Sequence, residues 1–207
     1  IAQGMRYLHE LDPPILHADI RGANVLVTND RRCCLADFGL SAGLEMTISS
    51  MRNAGTLPWL APEAIRPSEG AKHSLKIDIF AFGCTLFEIF TGNHPFKVER
   101  LTFVNVLDGQ RASRPAAAAL SQEMTDLTWA LIESCWKHDP AKRPSAREIL
   151  WALGVPLSPN YTVLQRPGMS NIAALRVFAT HLFIDATDPE LSIDRLREKL
   201  QCVSHIK

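Results

Sequence analysis

An excess of charge of either sign is the first thing this sequence lacks. Its 22 Lys and Arg are matched by 22 Asp and Glu over 207 residues, a formal net charge of zero. A broad electrostatic grip on nucleic acid or on an anionic membrane is therefore not expected, although a local patch remains compatible. No apolar run approaches the roughly 20 residues of a bilayer span, so no membrane-spanning helix is expected. No basic-then-apolar leader precedes a cleavage site, and the first residue is Ile1, so no signal peptide is expected either. Cysteine is sparse and unpatterned. Cys33, Cys34, Cys84, Cys135 and Cys202 are odd in number, and no C-x-x-C pair is there to seed a zinc site. Free thiols in a reducing compartment follow, and with them a cytoplasmic location. Internal repeats and low-complexity tracts are absent as well.

What is present is the material of a globular domain. Apolar residues make up 46 % of the chain and charged residues 21 %, enough for a real core. Ile1, Met5 and Leu8 recur at helical spacing, and Pro13 and Pro14 terminate that helix. Two short β-like runs follow, 25–27 and 33–36, joined by the polar turn Thr28-Asn29-Asp30-Arg31, which predicts a hairpin. Residues 39–60 have no lasting period and read as a long loop, the kind that is usually functional. Residues 78–91 are apolar nearly all round, which marks a helix buried on every side and closed by Gly92 and Pro95. Further helices are expected near 99–107, ended by Gly109, and over 126–136, capped by Thr125. Ser145-Ala146-Arg147-Glu148 is a capping box that opens a helix through Leu153. Trp129, Trp136 and Trp151 are expected in the core. The fold class is thus mainly α with one hairpin. Domain boundaries are expected at 1–153 for the lobe, 154–170 for a linker carrying Pro156, Pro159 and Pro167, and 171–207 for a helical tail.

The hairpin is bracketed by polar residues. His17-Ala18-Asp19-Ile20-Arg21-Gly22-Ala23-Asn24 precedes its first strand, and Asp37-Phe38-Gly39 follows its second. A hairpin returns on itself, so both loops lie at the same end and Asp19, Asn24 and Asp37 converge. Two carboxylates and an amide are hard oxygen ligands that suit Mg²⁺ on phosphate oxygens and suit a soft metal poorly.

These residues resemble an ordered motif set. H-A-D-x-x-x-x-N, then D-F-G, then Ala61-Pro62-Glu63, then Asp78 opening D-I-F-A-F-G, then Cys135-Trp136 with Asp139-Pro140 and Arg143-Pro144, is similar to the protein kinase superfamily, and most to its tyrosine-kinase-like group. The likeness covers about residues 1–153. It implies the large lobe of a kinase, α+β when complete, that uses ATP and Mg²⁺ and phosphorylates a protein substrate. By position, Asp19 resembles the catalytic base, and Asn24 and Asp37 resemble the two metal ligands. Arg21 and Thr56 resemble the residues that shape the acceptor pocket. His17, Phe38 and Gly39 resemble the packing residues of the two loops. Asp78 resembles a buried anchor for backbone N–H groups, and Glu63 and Arg143 resemble a buried ion pair.

Three departures sharpen the reading. No Gly-rich phosphate loop, strand lysine or partner glutamate can be found, so the N-terminal lobe of the family is expected to be missing from this chain, and with it much of the ATP pocket. Ala18 stands where most of the family has arginine, which removes the usual partner of an activation-loop phosphate. Arg21 in D-I-R-G-A-N leans toward tyrosine kinases, whereas Gly55-Thr56 leans toward serine/threonine kinases and is weighted more heavily. Thr47, Ser49, Ser50 and Thr56 are ordinary polar loop residues or phosphorylation sites. The leading expectation is a serine/threonine protein kinase. The alternatives are a tyrosine-directed kinase, a small-molecule kinase of the aminoglycoside or choline type, and an inactive scaffold.

Overall fold

The computed structural model describes residues 1–27, 29, 33–37, 57–68, 74–96, 102–116 and 124–155. Six α-helices and one hairpin appear there in the order α1 (Ala2–His9), β1 (Val25–Val27), β2 (Cys33–Leu35), α2 (Pro62–Ile65), α3 (Lys76–Thr91), α4 (Thr102–Leu107), α5 (Asp126–Cys135) and α6 (Ala146–Ala152). Short 3-10 turns at Gly22–Asn24, Leu57–Trp59 and Pro140–Lys142 link them. The expected linker beyond Val155 and the tail 171–207 lie outside the described residues, as do Phe38, Gly39, Arg31, Arg32, Thr47, Ser49, Ser50 and Thr56.

α3 is the axis of the fold. Ile77, Ile79, Phe80, Ala81, Phe82, Cys84 and Phe87 are all buried, so its first three turns are surrounded. Only toward its end does a side reach solvent, at Ile89, and Gly92 closes it in the left-handed region at φ 67° with its N–H on the Glu88 carbonyl. α5 packs on one side of α3 and α1 packs on α6. Met5, Leu8, Leu16, Ile20, Leu35, Leu60, Phe80, Ile132 and Ile149 are essentially inaccessible. Each such side chain contributes about 1.5–3 kcal/mol of burial free energy. Trp136 gathers an aromatic cluster, with ring centroids 5.7 Å from Trp129, 5.9 Å from Phe87 and 6.5 Å from Phe96.

The helix ends follow local chemistry. Thr125 caps α5 by accepting from the Thr128 amide, and the Ser145–Glu148 capping box of α6 is complete in both directions. α4 and α6 both end in paired reverse bonds: Gln110 to Asn105 and Gly109 to Val106 in one, Val155 to Leu150 and Gly154 to Trp151 in the other. Gly109 at φ 78° and Gly154 at φ 65° supply the left-handed residue that this closure requires. Gly154 and Val155 therefore close the last helix, rather than open the chain beyond it. α1 stops at His9, ahead of Pro13, and α4 ends at Leu107 as expected, while positions 99–101 of the expected helix lie outside the described residues.

Trp151 is a correction. It is 78 % exposed, not in the core. Ala146, Ile149 and Leu150 form the buried stripe of α6, and helical periodicity puts position 151 on the other side.

The α3–α5 contact leaves no room for a methyl group. A Cβ at Gly83 would lie 2.8 Å from Cys135 Cβ and 3.3 Å from the Ile132 carbonyl oxygen. Gly83→Ala is therefore expected to destabilise the fold by about 1–3 kcal/mol through overpacking, despite the better helix propensity of alanine. A lower urea midpoint at unchanged slope is the expected result; an unchanged midpoint would show that the helices separate freely.

Candidate functional site

The loop 17–24 is held by polar side chains of α3. Asp78 is fully buried; its Oδ2 accepts from the His17 amide at 2.8 Å and its Oδ1 from the Ala18 amide at 2.8 Å. Oδ2 also meets His9 Nε2 at 2.8 Å, which ties α1 to the same carboxylate. One face further along, Thr85 Oγ1 donates to the Ile20 carbonyl at 3.2 Å and to the Ala81 carbonyl at 2.8 Å. Glu88 Oε2 accepts from the Gly22 amide at 2.9 Å. Positions 78, 85 and 88 lie on nearby turns of one helix face, so a single rigid element grips the loop at four residues.

Two loop residues sit in the left-handed region, Ala18 at φ 69° and Asp37 at φ 62°. For a residue with a Cβ this costs of order 1–3 kcal/mol and persists only where the surroundings impose it. For Ala18 the imposing group is the Asp78 carboxylate on its N–H.

Asp19 and Asn24 are brought together directly. Both are buried, and Asn24 Nδ2 donates to Asp19 Oδ2 at 2.7 Å and to the Asp19 carbonyl at 2.8 Å. Asp19 Oδ1 is buried and accepts no hydrogen bond among the described residues; Arg21 Nε lies 3.4 Å away as an ion pair. The hairpin brings in the third residue. Val25 pairs with Leu35, and the Ala36 amide donates to the Asn24 carbonyl at 2.9 Å, so Asp37 follows at the end of the hairpin where Asn24 begins it. His17 is buried beside this group, and its Nδ1 accepts from the Asp19 amide at 3.3 Å.

The donor set is one amide and one carboxylate next to a buried carboxylate. Among the described residues no group of three His, Cys, Asp or Glu is gathered as a self-sufficient metal cage. Asn24 Oδ1 and the Asp37 carboxylate instead fit a hard cation that keeps most of its coordination for phosphate oxygens and water, as Mg²⁺ does.

Arg143 locks the far side. Its side chain is fully buried, and all five N–H donors find acceptors: Glu63 Oε1 at 2.6 Å, Glu63 Oε2 at 2.8 Å, and the carbonyls of Lys137, Lys76 and His138. The guanidinium also stacks on Phe80, 5.0 Å from its centroid. The expected pair is thus present, bidentate, and attached to α3 as well as to α2.

The model of the protein kinase domain family matches residues 1–152. The chain is 36 % identical over 160 residues to R818 of Acanthamoeba polyphaga mimivirus, which bears the name of a serine/threonine-protein kinase/receptor; this covers 76 % of the chain and 9 % of that relative. It is 34 % identical over 151 residues to the serine/threonine-protein kinase CTR1 of Arabidopsis thaliana, covering 72 % and 18 %. It is 34 % identical over 156 residues to mitogen-activated protein kinase kinase kinase 12 of Rattus norvegicus, covering 75 % and 17 %.

The chain belongs to the protein kinase family. It spans under a fifth of the length of each of these three relatives. The helical architecture with a small antiparallel sheet is the large-lobe arrangement that the kinase motifs imply, and among the described residues no helix is long and apolar enough to cross a membrane. Sequence reasoning did not find His9, Thr85 or Glu88 of this kinase site. The one available signal was that Thr85 and Glu88 interrupt an otherwise apolar helix that must be buried.

Burial pushes the His17 imidazole below its ordinary value, against the opposing charges of Asp78, Asp19 and Asp37 and the Ala36 backbone. Burial pushes the Asp78 carboxyl up, but the His9 hydrogen bond, the charge of His9 and the His17 amide together hold it below the usual carboxylate range. The signs agree. His17 is neutral when folded and takes up a proton on unfolding near its ordinary value of about 6.5, so its share of stability is lost as pH falls from there. Asp78 contributes above the ordinary carboxylate range and is lost only in stronger acid. Unfolding midpoints measured from about pH 7.5 to about pH 5.5 are expected to fall, and His17→Gln is expected to flatten that slope. An identical slope in the variant would mean that other groups carry it.

Proposed function

We propose that this chain carries the catalytic loop of a kinase that transfers the γ-phosphoryl group of ATP to Ser and Thr hydroxyls of a protein substrate. The observation that carries the reading is the buried Asp19 carboxylate, held at Oδ2 by Asn24 and accepting no hydrogen bond at Oδ1, which faces Arg21 Nε at 3.4 Å, on a loop clamped by α3. A buried carboxylate oxygen without a hydrogen bond is costly, and such an orphan calls for a functional reason. Asp19 Oδ1 accepts the proton of the acceptor hydroxyl, and Asn24 Nδ2 keeps the carboxylate from rotating away. Asn24 Oδ1 and the Asp37 carboxylate are the groups that would hold Mg²⁺. Bound MgATP supplies the phosphoryl group and the charge neutralisation on which such transfer mostly depends. Arg21, beside Asp19, contributes a cation to the acceptor side of the loop.

Ser/Thr specificity rests on Thr56, three residues before Trp59, and on the serine/threonine kinases among the relatives. Arg21 in D-I-R-G-A-N favours a tyrosine-directed reading, which peptide-library phosphorylation by the full-length protein separates from it. Buried free thiols support a cytoplasmic site of action: Cys84 and Cys135 are unpaired, and burial pushes the Cys135 thiol up to about 12.

Asp19→Asn in the full-length protein is expected to lower phosphoryl transfer by at least about a hundredfold, the lower end of what a positioned proton acceptor contributes, with the unfolding midpoint nearly unchanged. Near-normal turnover by a folded variant would remove Asp19 from the role. A second expectation concerns Ala18, which has no cationic side chain to offer an activation-loop phosphate. Phosphatase treatment of the full-length protein is expected to change its rate by less than about tenfold, or 1.4 kcal/mol of barrier. A larger fall would mean that another cation binds such a phosphate.

A further inference from the structure

α6 ends in an apolar patch that the fold leaves uncovered. Trp151 is 78 % exposed, Leu153 is 51 % exposed, and Ala152 between them is exposed as well. A lone surface leucine such as Leu127 is ordinary. A tryptophan carries one of the largest apolar areas of any side chain and is covered for the most part in folded proteins. α6 packs on α1 and turns Ala146, Ile149 and Leu150 inward, which leaves the indole pointing away.

The chain leaves this patch from a fixed point. The Gly154 amide donates to the Trp151 carbonyl and the Val155 amide to the Leu150 carbonyl, both at 3.0 Å, and Val155 packs back on the core. The exit at residue 155 is thus about one helical turn past Trp151, or roughly 6 Å along the axis. Residues 156–170 follow, the stretch that carries Pro156, Pro159 and Pro167. After them Ile172, Leu175, Ala179 and Leu182 recur at helical spacing, flanked by Phe178 and Phe183, with Arg176 and Thr180 off the stripe. Such a stripe needs an apolar surface to rest on. The 15 residues of the connection have a root-mean-square span of about 20 Å, several times the distance back to Trp151. They hold the stripe near the patch at an effective concentration of about 1 mM.

We propose that the apolar stripe of residues 171–184 docks on the Trp151 side of α6, so that the chain covers its own exposed indole. At an effective concentration of about 1 mM, an intrinsic Kd of about 0.1 mM leaves the segment docked about ten times as long as free, an affinity too weak for a second copy at micromolar concentration to use. The contact asks nothing of the catalytic loop and stands apart from the kinase reading.

Hydroxyl-radical footprinting of the full-length protein, read at Trp151 by mass spectrometry, tests the contact. Trp151 is expected to be oxidised about tenfold more slowly than in the Leu175→Asp, Leu182→Asp double variant, the factor set by that docking ratio. Thr180→Asp adds the same charge away from the stripe and is expected to leave Trp151 protected. In the converse measurement, Trp151→Glu is expected to speed hydrogen exchange over 171–184 by about tenfold, with exchange at Ile149 and Leu150 unchanged. Should Trp151→Glu loosen α6 itself, the footprint of the double variant still decides, because its substitutions lie outside α6. Rapid oxidation of Trp151 in the unsubstituted protein would overturn the proposal. Protection that survives the two aspartates would overturn it as well, since another group would then cover the indole. Protection that fades on dilution by about a hundredfold would assign the patch to a second copy and overturn it too.

Discussion

The Asp78 carboxylate is the constraint on which the rest of this structure depends. A charged group buried to that degree is tolerable only when hydrogen bonds replace its lost water, and here three donors do so. Those donors are the backbone of His17 and Ala18 and the ring of His9. Satisfying the carboxylate therefore bends the loop 17–24 onto α3, forces Ala18 into the left-handed region and brings α1 alongside. Without Asp78 the strain at Ala18 would have no compensation. Its removal would also leave two amides buried and unpaired.

The loop so held needs only a short hairpin to complete the site. Asn24 is both the end of the loop and the doorway to β1, and its side chain turns back to Asp19 while its backbone pairs with Ala36. A single residue thereby fixes the carboxylate in one direction and the start of the Asp37 segment in the other. A two-stranded hairpin has little stability by itself. This one rests on Leu35, which is buried against the Gly4 side of α1, so the same core that supports α1 supports the end of the hairpin that carries Asn24 and Asp37.

α3 works at both of its ends. Near its start, Lys76 gives its carbonyl to Arg143, and Phe80 lies under the guanidinium, while Glu63 closes the pair from α2. Toward its end, Glu88 meets Gly22 and Trp59. The helix buries its apolar residues to form the core and spends its few polar ones on loops that cannot form regular structure. A helix with this composition would be unstable alone in water. Inside the lobe each polar group has a fixed partner, which is why Thr85 and Glu88 interrupt the apolar run without cost to packing.

Much of this was legible in the sequence, for local physical reasons. The capping box at Ser145, the Thr125 cap, the glycine endings at Gly92 and Gly109 and the buried character of residues 78–91 all depend on neighbours within a few positions. The convergence of Asn24 and Asp37 follows from hairpin geometry alone, and the kinase motifs pointed to Asp19, Asp78, Glu63 and Arg143. Contacts across long separations were not legible. His9 reaches Asp78 across 69 residues and Trp59 reaches Glu88 through a fold that no local pattern describes. The side of α6 that faces the core was also decided by packing, which put Ile149 and Leu150 inward and left Trp151 in solvent. By itself the sequence determined which elements form and which residues are candidates for the chemistry, because propensity, capping and turn formation act over one or two turns of chain. Only the tertiary structure decided which backbone groups Asp78, Thr85 and Glu88 satisfy and which face of each helix is buried, because a buried polar atom must find its partner wherever the folded chain provides one.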